Sequence, residues 1–567
     1  MDRIVQSYLE SLLKSMQITE KKDSKRFELF SAYCTISQVY SESYDLYDVV
    51  TGAGEDCGID AVAVIVDGVL INTSEELKDL VKDNRSLYDI NFIFVQAKQS
   101  EKFSSKDMNT FGEGVLDFFS DEPKLPRNEA IQDKCDIVRE VYDNASRMRN
   151  NPKCILYYVS TGKWVEDRNC KASIDRTEER LLDEKLFSDV KYYPVDADLL
   201  RNFYKAATEE VEVSIEFPDA VLIPEIEKVK QAYLGFLEIS EYLKLIQDET
   251  GALRKSVFND NVRDYQGDVP VNEQIAETIK ADADKFIIFN NGVTIICQEL
   301  NNIKRNTFTL KSYQIVNGCQ TSHELFNNQN EVNGTIQIPV KIIETTDEDT
   351  VNKIIKATNS QTKVADEQLI ALNKFHKDLE EYYKSFPIPE RLYYERRSKQ
   401  YNYVPGVEKV RIISIATQIK AVASMFFDKP HLASRYYGQL LKTVSGMFAS
   451  GDNLDPYYIS AYTLYRLEQL FRNGTISWDY RKYRYHILMM IKYDVADGEK
   501  IPKLSENKIR QFCSKCGDIV KDDIRFKTEV ERMTSLIDKN VKNIKNRDLT
   551  KSSDIVEKIR KEVTSGK

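Results

Sequence analysis

The sequence predicts a multidomain α/β protein, with a mixed αβ domain over residues 1–216, an α+β domain over 220–405 and a mostly helical region over 406–567. Three observations carry this reading. Runs of β-branched and aromatic residues alternate with helical apolar spacing as far as about residue 216. Three more strand-like runs, FIIFNNGVTIICQEL, FTLKSYQIVNGCQTSHELFNN and TIQIPVKIIETTD, then follow with polar and glycine residues at their ends. From about Val410 the apolar spacing is helical throughout. At 567 residues the chain also exceeds the roughly 250–300 at which a single core stops growing.

The opening MDRIVQSYLESLLKSMQITEKKDSKRFELF is amphipathic and charged, unlike a signal peptide. RFELFSAYCTISQVY reads as a helix with Glu28 on its polar edge. GAGEDCGID then leads into the strand AVAVIV, so that Asp60 stands immediately before it. The run INFIFVQAK closes on Gln96 and Lys98, which period-2 alternation puts on one face with Ala97 on the other. Between the two strands, LINTSEELKDLVKDN predicts a short helix begun by Thr73 or Ser74. Helices over 104–119 and 128–149 come next, separated by the breaker SDEPKLPR. The strand CILYYVSTG, a helix from Ser173 to Glu184, the strand VKYYPV and the helix RNFYKAATEE complete the first domain, and Pro218 to Pro224 marks the junction.

Two adjacent strands can aim Asp60, Gln96 and Lys98 at one point. Magnesium-assisted phosphodiester cleavage needs hard oxygen ligands for the ion and a cation near the phosphate oxygens. Asp60, the Gln96 side-chain oxygen and the Ala97 carbonyl supply candidate metal ligands, Glu28 is a fourth, and Lys98 supplies the cation. Glu55 and Asp56 are rival carboxylates. The plainer alternative is a turn-capping Asp60 and a Lys98 that snorkels at a strand end, the commoner fate of a lone Asp and a lone Lys.

The arrangement resembles the Mrr-like branch of the PD-(D/E)xK restriction-endonuclease fold, through Glu28 on a helix, GID at 58–60 and QAK at 96–98. The resemblance implies a restriction-endonuclease-like αβ domain that cuts DNA with Mg2+ or Mn2+, RNA being left open as a substrate. In that site Asp60 binds metal, Gln96 orients metal or water, Lys98 stabilises the developing phosphorane charge and Glu28 assists.

In the middle region, VNGCQTSHELF predicts a strand, a tight glycine turn and a helix opened by Thr321 or Ser322, leaving backbone N–H groups for an anion. A plain strand-to-helix turn is the alternative. KIIKATNSQTKVADEQLIALN reads as two helices about a polar turn. In RLYYERRSKQY, Arg391, Arg396, Arg397 and Lys399 interleave with Tyr393, Tyr394 and Tyr401, a pattern suited to phosphate contacts and base stacking or to an exposed basic face.

Roughly residues 220–500 resemble the AIPR family, named for abortive-infection phage resistance, through FNNGVTI at 289–295, QIVNGCQT at 314–321, TNSQTKV at 358–364 and YYERRSKQY at 393–401. The resemblance implies an anti-phage defence effector answering a phage-derived or nucleotide trigger. Its ligand- or nucleic-acid-binding candidates are Asn291, Gly292, Asn317, Gly318, Gln320, Thr321, Asn359, Gln361, Arg396 and Arg397. The VNGCQT turn also looks distantly like the DGQHR element of ParB-like folds, with Asn317 in place of the acid and Thr321 in place of the basic ending.

The helical runs IISIATQIKAVASMFF, YISAYTLYRLEQLF and YRKYRYHILMMIKYDVA fill the C-terminal part, where Trp478, Arg481, Lys482, Arg484 and His486 read as helix packing with solvated basic edges. Cys513 and Cys516 form the one CxxC and have no second pair nearby, so buried thiols are expected there instead of zinc. With histidines only at 323, 376, 431 and 486, a multi-histidine metal site is not expected. The net charge of −10 argues against bulk nucleic-acid binding and leaves room for a local basic cleft. No apolar run approaches the roughly 18 residues that cross a bilayer, so a cytoplasmic protein is expected, and a homodimer is compatible with the helical half. Two functions remain open on sequence grounds: a nuclease effector, and a noncatalytic sensor using the pocket of residues 291–320.

Overall fold

The computed structural model describes residues 2–565 apart from 53, 83–84, 249–250, 252, 259–269, 305, 332–335, 359–373, 398, 403, 405 and 545. The described residues form twenty α-helices, two main mixed sheets, one two-stranded sheet and a largely helical C-terminal region. The chain divides into two compact units: Met1–Tyr8, Phe27–Ile71 and Asn84–Gln368 in one, Leu9–Arg26, Asn72–Asp83 and Leu369–Lys567 in the other.

The first unit contains two sheets. In chain order, helix α1 (Arg3–Ser15) and helix α2 (Asp23–Ile36) precede β1 (Ala61–Val66), β2 (Val69–Ile71), helix α3 (Ser74–Leu80) and β3 (Ile90–Lys98); α3, the end of α1 and the start of α2 count with the second unit. Asp67 and Gly68 both take positive φ, +47° and +75°, the geometry of a two-residue hairpin between β1 and β2. Thr73 caps α3 by accepting from the Glu76 N–H, as the sequence indicates. Helix α4 (Ser105–Phe119), helix α5 (Glu129–Asp143), β4 (Lys153–Ser160), helix α6 (Arg168–Asp183), β5 (Asp189–Val195) and helix α7 (Ala197–Thr208) follow. Helix α6 starts five residues ahead of the expected Ser173, because Asp167 accepts from the Asn169 and Cys170 N–H groups and fixes the first turn.

The sheet order is β2-β1-β3-β4-β5. The β1 strand runs antiparallel to β2 and β3, whereas β3, β4 and β5 are mutually parallel. Every residue of β1, and every residue of β3 except Lys98, is buried. A strand covered on both faces explains why INFIFV is a continuous apolar run.

The second sheet contains β6 (Glu212–Glu216), β7 (Val221–Leu222), β8 (Gln231–Glu238), β9 (Val293–Lys304), β10 (Thr307–Asn317) and β11 (Gln337–Glu344), in the order β6-β10-β9-β11-β8-β7. Only the β9–β11 pair is parallel. The β6 strand precedes residue 216 and yet belongs to this sheet, pairing with β10. Between β8 and β9 lie helix α8 (Ile239–Ile246), helix α9 (Pro270–Ala281) and helix α10 (Phe286–Phe289); helix α11 (Cys319–Asn327) follows β10 and helix α12 (Glu348–Thr358) follows β11. FIIF is therefore helical, where a strand was expected: a short apolar run has no periodicity that separates the two. Leu237, Tyr242, Leu245, Ile295, Leu310 and Ile342 form the centre of this core.

In the second unit the strands β12 (Tyr393–Glu395) and β13 (Ile412–Ser414) pair in parallel. Its core is built on helices Ile415–Phe426, Asp455–Arg472, Arg484–Ala496, Lys508–Lys521, Asp523–Asn540 and Ser553–Ser565. Cys513 and Cys516 lie in that core, and burial pushes both thiols up, Cys516 to about 12. All nine cysteines are buried free thiols. Among the described residues no helix is long and apolar enough to cross a membrane.

Candidate functional site

Ala61 lies opposite Val95 across the β1–β3 pair, and the Asp60 N–H donates to the Val95 carbonyl at 2.8 Å. That register sets the Asp60 carboxylate beside Ala97, whose N–H donates to Oδ2 at 2.8 Å. Gln96 donates through Nε2 to the Gly58 carbonyl at 2.7 Å, while its Oε1 is buried with no hydrogen-bond partner. Gly58 takes φ +73°, and a Cβ there would stand 3.3 Å from Gln96 Nε2, so a side chain at this turn would be strained and would press on the glutamine amide. Asp56 Oδ1 closes the turn by accepting from the Gly58 N–H at 3.0 Å. Lys98 is exposed at the end of β3, and Glu28 is half-buried on α2.

Asp60 is buried, and its carboxyl is pushed up to about 7, by that burial first and then by the negative charge of Glu28. Asp56 pushes in the same direction, against the Ala97 N–H and the Lys98 ammonium. The structure thus brings Glu28 and Lys98 within electrostatic reach of Asp60, together with Asp56 of the rival carboxylates, while Gln96 is tied to the Gly58 carbonyl of the same turn; Glu55 is exposed.

These groups suit a hard divalent cation. Repelling carboxylates would be relieved by it, and the orphaned Gln96 Oε1 would gain a partner. Among the described residues no group of three or more His, Cys, Asp and Glu side chains is arranged to hold a metal. An ion here would rest on Asp60 and the amide oxygen of Gln96, with Glu28, the Ala97 carbonyl and water as further donors.

The glycine turns of the middle region have a packing task. A Cβ on Gly292, at φ +79°, would lie 2.7 Å from the Pro339 carbonyl oxygen; one on Gly318, at φ +99°, would lie 2.7 Å from Val293 Cγ2. Helix α11 begins at Cys319 with left-handed Gly318 as its cap, earlier than the expected start at Thr321 or Ser322. Ser322 Oγ instead donates to the Gly318 carbonyl and pairs with the Tyr242 hydroxyl. Asn290 accepts from the Gly292 N–H at 3.0 Å and donates to Thr321 Oγ1 at 3.1 Å, so Thr321 is buried and engaged. Asn291 is exposed, and Asn317, Gly318 and Gln320 are half-buried around the start of α11. Asn359 and Gln361 lie outside the described residues.

In the second unit, Arg396 turns inward. Its Nε donates to Glu380 Oε2 at 2.6 Å, while Lys384, Gln400 and Tyr401 donate to Oε1 at 2.6, 2.7 and 2.8 Å. Burial opposes the charge on Glu380, yet the donors from Lys384, Arg396 and Tyr401 hold its carboxyl below the usual range. Tyr394 is buried with its hydroxyl 2.6 Å from His376 Nδ1. Of the cluster expected to meet phosphates and bases, Arg396, Tyr394 and Tyr401 are thus core residues, and Arg397 is half-buried.

A family model described as AIPR protein matches residues 258–562, more than half of the chain. It covers all four middle-region motifs, begins later than the expected start near 220, extends beyond the expected limit near 500, and leaves the strand-end site outside. No curated protein and no solved structure matches the chain significantly. By that family match the chain belongs to the AIPR family, the abortive-infection phage-resistance proteins.

Proposed function

We propose that this protein is a defence effector that hydrolyses DNA phosphodiester bonds with Mg2+ or Mn2+ at the Asp60–Gln96–Lys98 site, in an Mrr-like nuclease domain. One observation carries the reading: a carboxyl raised to about 7, an unpartnered buried amide oxygen and an exposed ammonium meet at the adjoining ends of two strands. The order of Glu28 on a helix, Gly58-Ile59-Asp60 in a turn and Gln96-Ala97-Lys98 at a strand end supports it.

When bound, the divalent ion supplies Lewis-acid polarisation of the scissile phosphate and an activated water. Asp60 and Gln96 Oε1 would hold it, with Glu28 assisting. The Ala97 N–H fixes the Asp60 carboxylate, and the Gly58 carbonyl fixes the Gln96 amide through Nε2, leaving Oε1 without a protein partner. Lys98 places its ammonium against the phosphate oxygens and stabilises charge as the phosphorane develops. Calorimetric titration with Mn2+ tests the assignment: binding in the native protein and its loss in Asp60→Ala are expected, and equal binding by both would overturn it. A sensor built on residues 291–320 is the weaker reading, since Gly292 and Gly318 are already required by contact with Pro339 and Val293.

A further inference from the structure

The β3, β4 and β5 strands are parallel, so their carboxyl ends at Lys98, Ser160 and Val195 share one edge of the sheet. Open α/β sheets take ligands outside the carboxyl ends of such strands. Here the loops leaving β3 and β4 are fixed to each other. Ser160 Oγ and Thr161 Oγ1 both donate to the Ser100 carbonyl, at 3.0 and 2.9 Å. A Cβ on Gly162 would stand 2.3 Å from the Glu101 carbonyl oxygen, so the two backbones touch. Trp164 packs edge-on to Phe103 with centroids 5.0 Å apart, and its backbone N–H donates to Asp196 Oδ2 at the end of β5.

This rim carries exposed Lys98, Lys102, Lys163, Arg168 and Lys171. Among the described residues Lys102, Lys163, Arg168 and Lys171 form no ion pair, whereas Lys153, Lys191 and Arg180 of the same sheet layer pair with Asp89, Asp189 and Glu113. The acids on the rim are Glu101, Glu166, Asp167 and Asp196; Asp167 is occupied in capping α6, and Asp196 in capping α7 and accepting from Trp164. In a chain of net charge −10, five cations against four acids, two of them engaged as helix caps, make a local basic excess. Val165, 74 % exposed, stands between Lys163 and Arg168. Cations distributed over two loops and a helix start, with an apolar tip among them, suit a polymer of phosphates better than a single anion.

We propose that the loops after β3 and β4 form the track that holds the DNA backbone beside the Asp60–Gln96–Lys98 site, Lys102, Lys163, Arg168 and Lys171 each meeting a phosphate. The track rests on the nuclease reading for its purpose, but its binding can be measured without cleavage. Fluorescence anisotropy of a labelled DNA duplex in EDTA, across a salt series, would compare the native chain, Lys163→Ala, Arg168→Ala and the control Arg139→Ala on α5. Each rim variant should lower the slope of log K against log salt by about 0.9, or by about 0.7 on a single strand. The control should keep the native slope. Native slopes in both rim variants, or no binding by the native chain, would overturn the track. Rim-dependent binding in a chain that cuts nothing with Mg2+ would uphold the track and count against the nuclease.

Discussion

Replacing Asp60 with Asn should stabilise the metal-free protein above neutral pH. The carboxyl moves from an ordinary 3.8 to about 7 on folding, because burial and Glu28 disfavour its charge. Between those values the folded state binds more protons than the unfolded state, so stability falls as pH rises through the window from about 4 to about 7. At roughly 1.4 kcal/mol per unit, the raised carboxyl costs about 4 kcal/mol at pH 8 and about 2 kcal/mol at pH 5. Asn keeps an oxygen for the Ala97 N–H and carries no charge, so the advantage of Asp60→Asn should grow by about 2–3 kcal/mol from pH 5 to pH 8. Urea denaturation in EDTA measures it. Only Trp164 and Trp478 occur in the chain, so a Trp478→Phe background leaves Trp164, packed on Phe103, to report on the first sheet. Saturating Mn2+ should stabilise the native chain at pH 8 and not the variant. A variant no more stable than the parent at pH 8 would refute the electrostatic account of the site.

Glu380→Ala should cost about 3–5 kcal/mol, because it leaves Arg396 buried without its carboxylate, and should leave Mn2+ binding at Asp60 unchanged in calorimetry. Gly292→Ala should cost about 1–3 kcal/mol in thermal or urea unfolding, since the left-handed φ is retained only against Pro339. Gln96→Leu should weaken Mn2+ binding in calorimetry and destabilise the fold by about 1–3 kcal/mol through the unpaired Gly58 carbonyl.

Much of the first sheet is written in local chemistry. Thr73 caps the helix between the strands, and Gln96 and Lys98 end a strand as their apolar run indicates; the Asp67-Gly68 hairpin that adds β2 is the exception, since the sequence indicates one short helix alone between the two long strands. The approach of Glu28 to Asp60 is different in kind. Buried residues surround α2 on most sides, so no amphipathic stripe fixes which edge meets the site, and Glu28 stands out in the sequence only as a polar residue of an apolar helix and by the family pattern. The arginine-tyrosine motif at 393–401 was legible as polar and aromatic, but its direction depends on Glu380, thirteen residues upstream on another element. The start of α11 was placed late because hydroxyl caps are the familiar signal, whereas left-handed Gly318 ends the strand and begins the helix at once. The rim of Lys102, Lys163 and Arg168 is scattered in sequence and becomes a surface only through the parallel pairing of β3 and β4.

The central claim is tested most directly by incubating native protein and Lys98→Ala with plasmid, linear duplex and single-stranded DNA and RNA, with Mg2+, Mn2+ or EDTA. Metal-dependent cleavage of DNA by the native chain and its loss in Lys98→Ala, with folding intact, is the predicted result. Cleavage of equal rate by Lys98→Ala would contradict the assignment of the site.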